Sequence, residues 1–173
     1  MRYLILFGVT IVNLIFMGAV FPNINIAGIA PDFIICTIVS IAIIEKNMTG
    51  AVLGLICGLT LDLLFSGAFG FFSIPYLATG AIIYYVCTKI TYIDNYIVPF
   101  SLAVGAYLIK ELLFGLLVYM MGINYSLSHI FIRYILPEAF LTGSFMFLIH
   151  FIFKRIYRSS RLKSKKPETL SRL

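Results

Sequence analysis

Long apolar runs, separated by polar gaps of only a few residues, fill almost the whole of this 173-residue chain. Of its residues, 61% are hydrophobic and 12% are charged, and the mean hydropathy is +1.04, which lies outside the range of soluble globular proteins. A helix that crosses a bilayer needs about 20 apolar residues. We count six runs, at residues 3–21, 33–44, 49–65, 71–88, 97–121 and 130–153. The sequence therefore predicts an all-α integral membrane protein built as a bundle of about six transmembrane helices.

The runs are continuous rather than alternating, which favours helices over the strands of a membrane barrel. The second run is short, and we expect its helix to begin near Ile29 and to be shielded at its ends by neighbouring helices. The polar gaps leave no room for a separate soluble domain. We therefore predict one transmembrane domain at 1–154 and a basic cytoplasmic tail at 155–173.

Basic residues fix the expected orientation. In a six-span arrangement Arg2, Lys46, Lys89 and the tail fall on one side, and the opposite loops carry almost no lysine or arginine. Basic loops face the cytoplasm. Both termini are therefore expected to be cytoplasmic, and the first run is expected to stay as a helix because it lacks a convincing signal-peptide cleavage site.

The tail carries most of the formal net charge of +6, with one acid, Glu168, among its basic residues. We favour a topology anchor that binds anionic lipid headgroups. Docking of an acidic cytoplasmic partner is the alternative, and nucleic acid is not expected as a partner because the tail lacks interleaved aromatic residues. The basic residues are Lys154, Arg155, Arg158, Arg161, Lys163, Lys165, Lys166 and Arg172.

Small residues form a stripe on the third predicted helix. Gly50, Gly54 and Gly58 recur every four residues and lead to Asp62, about 20 Å along that helix. In lipid, small residues allow two helix backbones to approach closely. We expect a neighbouring helix of the same chain on this stripe, although a transmembrane helix of a partner would fit it as well.

Charged residues inside the runs predict a polar cluster within the membrane. Lys110 and Glu111 lie near the middle of the fifth run, and Glu138 lies inside the sixth, with Arg133 near the outer end of that run. Consecutive helical residues point about 100° apart, so Lys110 and Glu111 are not expected to share a partner. We expect Lys110 to pair with Asp62 or Glu138, and Glu111 to pair with Arg133, Asn124 or His129. The cluster is interpreted as a structural clamp, with a proton or ion path, a substrate pocket and a partner-binding seam as alternatives.

The sequence lacks the motifs expected of an enzyme. There is no His-Glu-x-x-His, no Gly-x-Ser-x-Gly and no phosphate-binding glycine-lysine loop, and His129 and His150 lie far apart in predicted depth. Cys36, Cys57 and Cys87 lie inside apolar runs without metal-ligand spacing and are expected to be buried thiols. We therefore expect neither catalysis nor a cofactor.

Residues 30–85 resemble a known family. The order of features is a Pro31-Asp32 pair before a hydrophobic hairpin, a charged turn at Glu45-Lys46, the glycine stripe with Asp62-Leu63, and then Ser66-Gly67, Gly70 and Tyr76. This combination is similar to the rod shape-determining protein MreD family. The close match covers roughly a third of the chain, whereas the rest agrees only in span count, size and basic tail. The resemblance assigns Pro31, Asp32, Gly54, Gly58, Asp62 and Gly67 as motif positions.

The resemblance implies a non-catalytic membrane scaffold of the bacterial cell-elongation machinery in the plasma membrane. Members of that family associate with the bitopic protein MreC. With it they link the MreB filament to a RodA-type glycosyltransferase and its partner transpeptidase, which build peptidoglycan. Their fold is similar to the substrate-binding subunit of energy-coupling-factor transporters. The alternative function is accordingly a small-solute, vitamin-like binding subunit of a membrane transporter.

Overall fold

The computed structural model describes residues 2–15, 17–18, 29–66, 69–90, 97–122 and 131–159. The regular secondary structure of these residues is helical, with no β-strand among them, which confirms the predicted all-α class. Two short π-helical turns are also present: Asp62–Ser66 directly follows the helix that ends at Leu61, and Phe131–Ile135 directly precedes the helix that begins at Leu136. The α-helices are α1 (Arg2–Ile15), α2 (Phe33–Glu45), α3 (Thr49–Leu61), α4 (Ser73–Lys89), α5 (Ile97–Met120) and α6 (Leu136–Ser159).

The centre of the bundle is α2. All ten residues from 34 to 43 are buried, and the helix packs against α3, α4, α5 and α6. A helix that is apolar on every side belongs in a core rather than at a surface. At 13 residues it is about 20 Å long, too short to cross the hydrocarbon region alone. Neighbouring helices therefore surround the whole length of α2, not only its ends.

The expected start of this helix near Ile29 was wrong. The helix begins at Phe33, and Asp32 is its N-cap, with an extended backbone and a carboxylate that accepts the Ile35 N–H at 3.0 Å. Pro31 restricts the preceding backbone away from the helical region. Residues 29–32 therefore enter the bundle as non-helical chain, which a membrane interior tolerates only where the protein itself surrounds that chain.

Adjacent helices along the chain pack as neighbours. The closest associations join α3 to α4 and α5 to α6. The turn between α2 and α3 places Lys46 in the left-handed region, and Asn47 accepts the Thr49 N–H at 3.0 Å. The first helix, α1, packs against α3, and its Asn13 side chain donates to the Thr37 hydroxyl of α2 at 3.0 Å.

Two segments of the described chain, residues 97–120 and 133–155, are long and apolar enough to cross a membrane. Only 22% and 28% of the residues in their most apolar windows are buried inside the bundle, so most of these residues are partly or fully exposed on its surface. Exposed examples are Leu112, Met120, Phe140 and Phe151. The helix α6 also continues to Ser159, beyond the predicted boundary between domain and tail.

Candidate functional site

The carboxylate of Asp62 caps the start of the neighbouring helix α4. It is 2% exposed and accepts the backbone N–H groups of Gly70, Phe72 and Ser73 at 3.0, 2.7 and 3.1 Å, and the Ser73 hydroxyl at 2.6 Å. The first N–H groups of a helix have no partner within the helix and need one from outside. Asp62 therefore joins the end of α3 to the start of α4. The predicted pairing of Asp62 with Lys110 was wrong.

The glycine stripe lies at helix contacts inside the chain. A Cβ added at Gly50 would lie 2.9 Å from the carbonyl oxygen of Ile38 in α2. At Gly54 and Gly58 it would lie 2.9 Å from the Tyr76 carbonyl oxygen and 2.5 Å from Ser73 Cα, both in α4. No side chain fits at these contacts. The same chain therefore occupies the stripe, the alternative that the sequence analysis favoured, whereas Gly67 lies outside the described residues.

A second buried carboxylate, Asp32, lies where four helices meet. It is 4% exposed, and besides capping α2 it accepts the Tyr76 hydroxyl of α4 at 2.8 Å and the Lys110 ammonium of α5 at 3.3 Å. Its backbone N–H donates to the Thr142 hydroxyl of α6 at 3.0 Å. Asp32 thus connects α2, α4, α5 and α6 through a single residue.

The ammonium of Lys110 lies between two carboxylates and two aromatic rings. It contacts Asp32 at 3.3 Å and Glu111 at 2.5 Å, and it lies 4.7 and 5.7 Å from the ring centres of Tyr107 and Tyr76. Aromatic rings attract cations, and this attraction is stronger where water is excluded. The expected pairing of Glu111 with Arg133 was wrong, because the long Lys110 side chain folds back and Glu111 pairs with this neighbour.

The carboxyl group of Glu138 lies next to this ion pair. It accepts the Tyr107 hydroxyl and, at 3.4 Å, the backbone N–H of Ala30 in the non-helical segment 29–32. Lys110 and Glu111 also act on it electrostatically. We call this set the junction network, and its members are Asp32, Tyr76, Tyr107, Lys110, Glu111 and Glu138.

The junction network contains three of the five predicted cluster members: Lys110, Glu111 and Glu138. Asp62 lies elsewhere, and Arg133 is exposed with its guanidinium 6.0 Å from the ring centre of Tyr134. Asn124 and His129 lie outside the described residues. The tail positions Lys154 and Arg155 are exposed at the end of α6, whereas Arg161, Lys163, Lys165, Lys166 and Arg172 fall outside the described part of the chain.

Three members of the network were not predicted from the sequence. Asp32 was assigned to a motif but not to the cluster, although an acid directly before an apolar run is a standard sign of a helix cap. Tyr76 and Tyr107 are two of eleven tyrosines. Only their complete burial distinguishes them, and burial is not readable from the sequence.

The contacts of the junction network join helices to one another. Each polar side chain of the network contacts another protein group, and the buried thiols Cys36, Cys57 and Cys87 lie outside it. Within the described ranges, no group of three or more His, Cys, Asp or Glu side chains is placed to hold a metal ion.

Comparisons with models of known protein families, with curated proteins and with solved structures give no significant match for this chain.

Proposed function

We propose that the chain is a multi-pass protein of the bacterial plasma membrane with both termini in the cytoplasm. The outward apolar faces of α5 and α6 support this placement, because a soluble protein would bury such long apolar helices. In the non-helical segment 29–32, Pro31 and Asp32 are buried, and the backbone N–H groups of Ala30 and Asp32 donate to side chains of α6, as a membrane interior requires. The exposed Lys154 and Arg155 begin the basic tail that we assign to anionic lipid headgroups.

Topology has a direct test. A cysteine placed beyond position 160 should resist a bulky impermeant thiol reagent in intact spheroplasts and react after the membrane is opened. The three native thiols are buried and should contribute little background. Labelling in intact spheroplasts would reject cytoplasmic termini.

Within that membrane, the function that we propose is a non-catalytic scaffold of cell elongation, of the kind the MreD resemblance implies. One observation carries the proposal: the residues that carry the resemblance form one packed unit. Asp32 accepts the Tyr76 hydroxyl, Gly54 contacts the Tyr76 backbone, and Asp62 caps the turn that begins at Gly70. These residues hold α2, α3 and α4 together, which supports a role in shape and association rather than in turnover.

The proposed partners are an MreC-like bitopic protein and, through it, the MreB filament, a RodA-type glycosyltransferase and a transpeptidase. The outward face of α5, with exposed Leu112 and Leu116, is available for lipid or for another membrane helix. Helix association in lipid depends on packing and hydrogen bonds rather than on the hydrophobic effect. A rigid bundle that presents fixed faces is suited to such association.

Affinity purification after crosslinking in the native membrane tests the proposal. Recovery of an MreC-like protein with elongation enzymes is expected, and depletion of the chain should round or widen the cells. Recovery of a transporter ATPase module, together with a large thermal shift by one water-soluble vitamin, would favour the small-solute alternative. Normal rod width and wall insertion after complete removal, in cells with no second copy, would contradict the scaffold.

A further inference from the structure

The junction network contains more acids than one cation can neutralise. Among the described residues that form it, three carboxyl groups, those of Asp32, Glu111 and Glu138, accompany one ammonium group, that of Lys110. If all four groups were ionised, this cluster of buried and half-buried side chains would carry two net negative charges. Such a charge imbalance is costly, and a buried group commonly changes protonation to avoid it.

The position of the ammonium group indicates which acid holds a proton. Asp32 accepts the Lys110 ammonium, the Tyr76 hydroxyl and a backbone N–H. Glu111 contacts the same ammonium at 2.5 Å. Among the described residues, Glu138 receives the neutral hydroxyl of Tyr107 and, at 3.4 Å, the backbone N–H of Ala30, a longer distance than is usual for an N–H to a carboxylate, and it forms no ion pair with a lysine or arginine.

Titratable and polar groups on α5 and on the segment 29–32 face Glu138. They are Tyr107, Lys110 and Glu111 on α5, and Ala30 and Asp32 on the segment 29–32, with Tyr76 of α4 behind Asp32 and Lys110. Lys110 is the one cation among them, and its ammonium group already contacts the carboxylates of Asp32 and Glu111. Arg133, in the turn before α6, is exposed beside Tyr134.

We propose that Glu138 is a proton-binding site between α5 and α6, holding its carboxyl group as a neutral acid at neutral pH. The bound proton removes one negative charge from the junction network. Loss of the proton would place a second uncompensated negative charge in the junction network, beside Glu111.

Infrared spectroscopy of the purified full-length protein in lipid bilayers tests this site. A protonated carboxylic acid has a carbonyl stretch that a carboxylate lacks. At neutral pH we expect this band in the wild type, its loss in Glu138→Gln, and its retention in the matched control Glu45→Gln. No acid band in the wild type, or a band that survives in Glu138→Gln, would overturn the proposal.

Two further variants keep the test decisive if Glu138→Gln does not fold, which circular dichroism would reveal. Tyr107→Phe removes the hydroxyl that donates to Glu138, so the acid band should move to higher frequency. Glu111→Gln removes a nearby negative charge, so the band should disappear at a lower pH than in the wild type. A band unchanged by both variants would assign the proton to another residue. Since these measurements need no partner, their outcome is separate from that of the proposed scaffold function.

Discussion

The contact between α3 and α4 at Gly58 allows a quantitative test of the packing. A Cβ added at this position would lie 2.5 Å from Ser73 Cα and 2.8 Å from Ser73 N, whereas ordinary contacts begin at 3.4 Å. These are backbone atoms, so they cannot move aside as a flexible side chain can. In Gly58→Ala the two helices must separate by roughly an ångström to restore ordinary contact. Ser73 also donates two hydrogen bonds to Asp62, at 2.6 and 3.1 Å, which this separation would stretch.

The magnitude follows from three opposing effects. Overpacking of a well-packed interior costs about 1–3 kcal/mol. Weakening a hydrogen bond to a charged carboxylate costs up to about 1.5–3 kcal/mol. Alanine regains about 1 kcal/mol over glycine in a helix interior. For Gly58→Ala we therefore expect the free energy of unfolding to fall by about 2–3 kcal/mol.

The matched control is Gly105→Ala, because a Cβ added at Gly105 has no atom within 4 Å from the other described residues, apart from its own helix backbone and chain neighbours. That variant has only the gain in helix propensity and should be as stable as the wild type or up to about 1 kcal/mol more stable. Unfolding of the full-length protein by SDS in mixed micelles, followed by circular dichroism, gives the three free energies. If Gly58→Ala proves as stable as Gly105→Ala, the assigned backbone contact is wrong.

Three further outcomes are expected in the same unfolding assay. Asp62→Leu leaves the donors at the start of α4 without their acceptor, and the free energy of unfolding should fall by about 3–5 kcal/mol. Asp62→Asn should lose less stability because it keeps one acceptor oxygen. If both variants were as stable as the wild type, the cap would be rejected. Lys110→Met leaves Asp32 as an uncompensated buried charge, and the free energy of unfolding should fall by about 3–5 kcal/mol. If the double variant Lys110→Met/Asp32→Asn regains most of this stability, charge is identified as the cause. Tyr76→Phe removes one hydrogen bond to Asp32, and the free energy of unfolding should fall by about 1 kcal/mol. The control Tyr85→Phe changes an exposed position and should leave the stability unchanged. Equal losses of stability in the two variants would contradict the assigned hydrogen bond.

Much of the helical layout could be predicted from the residues alone. Lipid-length apolar runs separated by short polar gaps leave little choice of secondary structure, and the turn at Lys46 and Asn47 ends α2 as expected. The stripe at Gly50, Gly54 and Gly58 likewise predicted a close backbone approach, because spacing by four places small residues near one face of a helix. These features depend on local pattern, which the sequence contains directly.

The partners of the buried charges could not be predicted in this way. Depth along the helices suggested Asp62 or Glu138 as the partner of Lys110, but Asp62 instead caps α4 and Lys110 reaches Asp32 at the start of α2. Depth does not specify how each helix is rotated about its axis or which helices are neighbours. Asp32 and Lys110 are 78 residues apart in the sequence, and their ion pair depends on the rotation of the helices, on which helices are neighbours and on the central position of α2. The sequence thus determined the helices and the residues that need partners, and the tertiary packing decided which partners they have.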